Sequence, residues 1–144
     1  MEKNKLLNSY PKPTKTPKQK RKKRKPTNYK KKAIELAKKI VRLQGYCDKC
    51  GSTTRRLHGS HVFSVRHAAT AADIDNIICL CAYDHVFSKD SWHSEPMENA
   101  EWFKSKYPGR YERLLKKSQE LCNYIQEDWK RKYEDLKTTL EARQ

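Results

Sequence analysis

The chain has 144 residues, of which 35% are hydrophobic and 35% are charged, and its formal net charge is +16. This length predicts one domain, and the polar composition leaves little apolar material for a large core, so we expect a structural metal or a partner subunit to support the fold. No apolar run approaches the roughly 20 residues that span a bilayer, and the N-terminus lacks the apolar region of a secretory signal. We therefore expect a cytoplasmic protein that does not act at a membrane.

Most of the positive charge lies in the first 32 residues, which hold 14 Lys and Arg against one Glu. Residues 1–28 contain four prolines and almost nothing to bury, which predicts a disordered, extended basic arm. The centre of the arm is a nearly continuous run that includes Lys20, Arg21, Lys22, Lys23, Arg24 and Lys25. Such a run favours a nucleic acid as partner over an anionic membrane surface, and the alternative is a solvated leader that aids solubility.

A helix is predicted from Asn28, because apolar residues recur every three or four positions up to a stop at Gly45. These residues are Tyr29, Ala33, Leu36, Ile40 and Leu43. The middle of the chain, residues 46–93, holds all five histidines and four of the five cysteines. Within it we predict short strands at 57–64 and 76–80 and a short helix beginning near Tyr83.

Two further helices are predicted after residue 93. Ser94 is expected to cap a helix that runs from Pro96 to about Tyr107, since Pro suits the first helical position. One last long helix should follow, with Cys122 packed at its middle, and its apolar stripe is formed by Tyr111, Leu115, Cys122, Ile125, Trp129, Leu136 and Leu140. This stripe is expected to pack on the chain's own domain, and a coiled-coil homodimer is the alternative.

The cysteine spacing predicts a structural zinc site. Cys47 and Cys50 form a Cys-x-x-Cys knuckle, and Cys81 follows about 30 residues later, as in sites where two clusters close on one tetrahedral ion. The fourth ligand is open. Asp84 stands where the second member of a second Cys-x-x-Cys pair would fall, whereas Cys79 is its competitor and is otherwise expected to be a small buried hydrophobe.

A second constellation consists of His61, Asn76 and His85. A hairpin followed by a helix at these intervals can bring two imidazoles to one metal-bound phosphate. Hydrolysis of a phosphodiester needs a base to deprotonate water and a divalent ion to polarise the phosphate. Histidine suits the first task because its pKa lies near neutrality, and an asparagine can fix a loop through backbone hydrogen bonds.

These motifs resemble the HNH, or ββα-metal, endonucleases. The residues that carry the resemblance read GSHVFS at 59–64, DIDNIICLC at 73–81 and DH at 84–85. The knuckle about ten residues before the first histidine, and Arg66 after the first strand, are similar to phage HNH proteins that include the NinG-type recombination nucleases. The resemblance covers roughly residues 44–115.

The resemblance implies a small zinc-stapled ββα-metal core, so we expect an α+β fold with a nuclease domain at 29–115 that is flanked by helices. It says nothing about the arm or about residues 116–144, where the apolar spacing predicts a C-terminal helical extension. The resemblance also implies roles for individual residues. His61 would be the general base, Asn76 would orient its loop, and His85 with His93 would bind Mg²⁺ or another catalytic divalent metal. Arg66 would clamp a phosphate, although an ordinary surface arginine is an equal alternative.

The implied function is metal-dependent cleavage of DNA, in phage recombination or processing, within the host cytoplasm if a phage encodes the chain. A non-catalytic zinc-finger DNA-binding protein would need the cysteines but not His61, Asn76 and His85. An RNA-binding module is a third alternative, without the interleaved aromatic residues expected of one. The chain departs from the family pattern at Ser60, where many members carry a metal ligand; His58 could compensate, but on a strand it points away from His61.

Overall fold

The computed structural model of the protein describes residues 26–144. The predicted basic run at 20–25 and all but the last three residues of the predicted arm lie outside this range. The described part is an α+β fold whose elements are α1 (Tyr29–Arg42), β1 (Leu57–His61), a 3-10 turn (Ile74–Asn76), β2 (Ile77–Cys81), a π-helical turn (Tyr83–Phe87), α2 (Pro96–Lys106), α3 (Arg110–Ser118) and α4 (Gln126–Ala142). Within it, no helix has the length and apolar character needed to cross a membrane.

Helix α1 begins and ends where the sequence predicts. The Asn28 side chain accepts a hydrogen bond from the Lys31 backbone N–H at 3.0 Å and so caps the helix. The chain leaves the helix through Gly45, which adopts a φ of +79° that favours glycine. The predicted apolar face is confirmed in part: Ala33 and Ile40 are buried, whereas Leu43 is exposed.

The sheet is a single antiparallel pair in which Leu57 lies opposite Cys81 and His61 opposite Ile77. The predicted first strand was too long at its end, because the chain leaves the sheet after His61 and enters a loop instead of continuing to Ser64. Gly59 lies directly under α1. A Cβ atom at Gly59 would come within 2.8 Å of the Lys38 side chain, so this close approach requires glycine.

Strand β2 is buried along its whole length and separates two apolar clusters. Ile77 and Cys79 face a cluster built with α1 and α4, whereas Ile78 and Leu80 face one that includes Phe103 of α2. Successive side chains of a strand point to opposite faces, so a central strand with both faces covered reads as an unbroken apolar run.

The predicted single C-terminal helix was wrong, because α3 ends at Ser118 and α4 begins at Gln126. The Asp128 carboxylate accepts the Ile125 N–H at 3.0 Å and starts a new helix. Cys122 therefore lies in the linker and not in mid-helix. The break lets α4 lie along α1, where Trp129 and Leu136 are buried. This packing favours the intramolecular alternative for the apolar stripe.

Ser94 does not cap α2 as predicted. Glu95 occupies the cap position without a side-chain hydrogen bond, and Pro96 is the first helical residue. The Ser94 hydroxyl instead lies 2.8 Å from the Ser91 hydroxyl, because the turn before the helix folds back on itself.

Candidate metal centre and histidine cluster

Three cysteines and one aspartate converge beside the end of β2. The Asp84 Oδ2 atom lies 3.2 Å from the Sγ atoms of both Cys47 and Cys81, and the Cys50 Sγ lies 3.8 Å from that of Cys81. All four ligand atoms lie within 4.8 Å of one another, so the group could hold a metal ion. Gly51, at a φ of +71°, closes the knuckle by donating its N–H to the Cys47 carbonyl at 2.9 Å.

The spacing of these atoms suits a tetrahedral ion. Thiolates bound at about 2.3 Å in a tetrahedron are about 3.8 Å apart, which is the Cys50–Cys81 separation. Desolvation and the neighbouring acidic groups raise the pKa of the Cys50 thiol to about 12. A bound cation would offset this effect, since metal ligands must be deprotonated.

The geometry decides the fourth member of the group in favour of Asp84. Cys79 is fully buried on the α1 side of β2, among apolar side chains. Its backbone N–H donates to the Asp48 carboxylate at 2.8 Å, and its carbonyl accepts the Asp48 N–H at 2.7 Å. Cys79 therefore has the role of a small buried hydrophobe, and the paired backbone bonds tie the knuckle to β2.

His61 ends β1 with its ring held in a defined orientation. Its Nε2 atom lies 2.9 Å from the Ala71 carbonyl oxygen. A carbonyl only accepts hydrogen bonds, so Nε2 carries the proton and Nδ1 keeps the lone pair of the neutral ring. Burial, with a contribution from the Lys38 charge, lowers the pKa of His61, although the bond to Ala71 opposes this shift. The side chain is therefore neutral at physiological pH with one nitrogen free to accept a proton.

Asn76 clamps the loop that follows His61. Its side chain is fully buried; it accepts the Phe63 N–H at 2.7 Å and donates to the carbonyls of Phe63 at 2.9 Å and Thr70 at 3.0 Å. The Asn76 carbonyl also accepts the Val62 N–H at 2.9 Å. These bonds join both ends of the loop, as the sequence predicts for an asparagine at the hairpin, and fix the path of the chain around the His61 ring.

We expect Asn76→Ala to destabilise the fold by about 2–4 kcal/mol, because the buried Thr70 carbonyl and the part-buried N–H and carbonyl of Phe63 lose their partner, at about 1–3 kcal/mol for each group that water cannot reach. Asn76→Asp should cost nearly as much, since a carboxylate cannot donate to the two carbonyls. Urea unfolding checks both variants. Asn123→Ala, at an exposed position of the α3–α4 linker, is the control, and equal stability of the Asn76 and Asn123 variants would contradict the clamp.

Three histidines form a row beside the metal centre. The Nδ1 atoms of His58 and His85 are 2.9 Å apart, and the Nε2 atoms of His85 and His93 are also 2.9 Å apart. His85 uses opposite ring nitrogens for the two contacts, so the imidazoles form a chain and not a tripod around one point. Burial lowers the pKa of His85 to about 4, and the nearby basic groups of His93, His58 and Lys38 contribute to this shift. His85 is therefore neutral, the state in which imidazole binds metals.

His58 is the member of this row to which the sequence assigned no firm role. The expectation that it points away from His61 on the strand agrees with the contacts, because His58 meets His85 whereas His61 bonds Ala71. The sequence signal was the odd spacing of His58 and His61 on one strand, which places their side chains on opposite faces. The sequence does not show that His85 lies on the same face as His58, because that depends on the tertiary fold. Ser60, two residues from His58, has a buried hydroxyl without a hydrogen-bond partner.

A hydrogen bond connects the histidine row to the strand that carries His61. Trp92 precedes His93 in the chain, and its indole N–H donates to the His61 backbone carbonyl at 3.1 Å. Among residues 26–144, no side-chain hydrogen bond joins the His61 ring to His85 or His93. Arg66 lies exposed in the loop clamped by Asn76.

Comparisons of the chain with protein-family models, with curated proteins and with solved structures found no match. The chemistry of the site therefore rests on its own geometry. That geometry comprises a four-ligand group that could hold a metal, a neutral histidine with a fixed ring, and a row of three imidazoles.

Proposed function

We propose that the protein is a metal-dependent phosphodiesterase that hydrolyses DNA. More particularly, we propose an endonuclease of the HNH class whose site is supported by a zinc-bound knuckle. The observation that carries this proposal is the His61 ring, which is held by the Ala71 carbonyl in a loop clamped by Asn76. A protein that only binds DNA would need the knuckle but has no use for a base with a fixed proton.

His61 supplies the general base in this proposal. Its Nδ1 atom accepts a proton from water, the water oxygen forms a bond to phosphorus, and the bond from phosphorus to the 3′-oxygen breaks. The departing 3′-oxygen takes up a proton from solvent water, which leaves a 3′-hydroxyl and a 5′-phosphate. Asn76 acts by positioning, because it holds the loop that carries the Ala71 carbonyl.

His85 and His93 are the proposed ligands of a catalytic divalent ion such as Mg²⁺. Their Nε2 atoms lie 2.9 Å apart, so both could bind the same ion. Such an ion, when bound, would polarise the phosphate and stabilise the leaving oxygen. His58 then accepts the Nδ1–H of His85 and orients its ring, since a ligand histidine usually donates its second nitrogen.

Zinc is the proposed occupant of the cysteine group. Three thiolates and a carboxylate at tetrahedral spacing suit Zn²⁺, and a closed set of four protein ligands is typical of a structural site. DNA is the proposed partner, with the basic run at 20–25 and Arg66 contacting phosphates without selecting sequence. Phage recombination is the proposed setting, in the cytoplasm of the host.

Incubation of the purified protein with supercoiled, linear and four-way-junction DNA tests the proposal. We expect cleavage with Mg²⁺ or Mn²⁺ and none with EDTA added just before the DNA, at a concentration that leaves the knuckle metal in place by metal analysis. Binding without cleavage in every metal would favour the non-catalytic DNA-binding protein instead.

The pH dependence of cleavage should report His61. The base works only when neutral, so the rate falls as the pH drops through its pKa; because that pKa is lowered, the acid limb should lie below the ordinary value of 6.5. Lys38→Gln removes a nearby positive charge and should move the limb upward. Lys39→Gln, one residue along on the exposed side of α1, is the control, and identical limbs in all three proteins would contradict the assignment.

A further inference from the structure

The π-helical turn Tyr83–Phe87 has two faces of different chemistry. Its inner face carries the buried Asp84 carboxylate and the half-buried His85 ring. Its other three residues follow at i, i+3 and i+4, the spacing that places side chains on one side of a helix. This second side, which we name the outer face, consists of Tyr83, Val86 and Phe87.

The outer face is apolar and open to solvent. Tyr83 is 49% exposed, Val86 48% and Phe87 74%. Single exposed apolar residues are ordinary, as at Met97 in α2, but adjacent ones on one turn are typical of a contact surface.

Three exposed basic residues lie beside this face or next to the turn in the chain. The Arg55 guanidinium lies over the Tyr83 ring, 4.9 Å from its centroid. The Arg56 carbonyl accepts the Ala82 N–H at 2.9 Å, which places Arg56 at the start of the turn, and Lys89 follows two residues after Phe87. Arg55, Arg56 and Lys89 are all exposed. The acidic residue of the turn, Asp84, points inward to the cysteines, and Asp90 is the exposed acid that follows Lys89.

We propose that the outer face is a binding site for unpaired nucleobases of the DNA substrate. Aromatic rings beside arginine are the chemistry that stacks exposed bases, while the cations follow the phosphates. An acidic peptide would use the cations but would leave Tyr83 and Phe87 without a role. The inference rests on the proposed function and refines its substrate class.

The preferred substrate is therefore DNA with unpaired or easily unstacked bases, such as a junction, gap or loop, and not a fully paired duplex. The π-helical turn connects base binding with catalysis, because the same turn carries His85, which is one of the two proposed ligands of the catalytic ion. Stacking on Phe87 and Tyr83 would fix the position of the strand relative to that row.

The test compares Phe87→Ser and Tyr83→Ser with the native protein. Both side chains are exposed, so the fold should survive, and Met97→Ser and Leu121→Ser at other exposed apolar positions are matched controls. Binding is measured without Mg²⁺ to a labelled hairpin with an unpaired loop containing 2-aminopurine, and to a paired duplex of the same composition. We expect each outer-face variant to bind the loop about tenfold more weakly and the duplex within about twofold.

The 2-aminopurine fluorescence should change when the native protein binds and should not change with Phe87→Ser. Equal losses on loop and duplex would overturn base stacking, because they would indicate a contact along the duplex. Unchanged binding together with a dimer that dissociates in the variants would also overturn it and assign the face to a second copy of the chain. If the native protein cleaves DNA with metal but the variants bind the loop as well as it does, this inference is wrong and the proposed function stands. If the native protein neither binds nor cleaves DNA, the proposed function itself is wrong.

Discussion

Replacing His61 by alanine should reduce DNA cleavage by about 10²–10⁴-fold, the typical cost of losing a general base. The ring makes one hydrogen bond, to the Ala71 carbonyl, and lies partly buried at the end of β1. The variant should therefore keep its fold, the proposed metal of the cysteine group and the proposed affinity for DNA. Single-turnover cleavage at saturating DNA measures the rate separately from binding.

His67→Ala is the matched control for this experiment. His67 lies in the same loop, its side chain is exposed, and the loop bonds that it makes come from its backbone carbonyl and N–H. It should cleave at the native rate. Native turnover by His61→Ala would remove the proposed mechanism, and equal loss in both variants would indicate that the loop as a whole and not the base had been disturbed.

If the cysteine group holds the proposed zinc, Cys47→Ser and Cys50→Ser should release that ion and remove cooperative unfolding from the middle of the chain. A structural metal of this type contributes on the order of 10 kcal/mol to folding at neutral pH, about the whole stability of a small domain. Cys47 anchors the loop whose backbone is bonded to β2, so the damage should reach the sheet. Metal analysis and thermal melting followed by circular dichroism measure the two effects.

Two further variants serve as controls for the cysteine substitutions. Cys122→Ser, in the linker between α3 and α4, should retain the metal and melt as the native protein does. His85→Ala should also retain the metal and the fold, but should lose cleavage, because His85 belongs to the histidine row and not to the cysteine group. If metal content and melting respond alike to Cys50→Ser and His85→Ala, the two sites are not separate.

Features set by neighbours in sequence were predictable. Asn28, Gly45 and Pro96 mark helix ends through local backbone chemistry, and each stands where a helix begins or stops. The knuckle was predictable because Cys47 and Cys50 lie within one turn of chain. Asp84 was left open as the fourth member, since choosing it over Cys79 required knowing which side of β2 faces α1.

Features set by packing were not predictable from the sequence. The apolar spacing from Tyr111 to Leu140 fits one helix, and the packing of α4 along α1 accompanies the break before Gln126, where the Asp128 carboxylate caps the new helix. The contact of His58 with His85 and the exposure of Phe87 depend on how the π-helical turn packs beside the sheet. Such long-range placement carries no local signal, so periodicity could not reveal it.

The source of the oxygen atom added at the cleaved bond directly tests whether DNA is hydrolysed by a water molecule that His61 activates. Native protein and His61→Ala are incubated with a defined DNA loop substrate and Mg²⁺ in ¹⁸O-labelled water, and the masses of the products are measured by mass spectrometry. We expect one labelled oxygen on a 5′-phosphate, an unlabelled 3′-hydroxyl on the other fragment, and product from the native protein alone. A 3′-phosphate, an unlabelled 5′-phosphate or equal product from His61→Ala would contradict hydrolysis by a water that His61 activates.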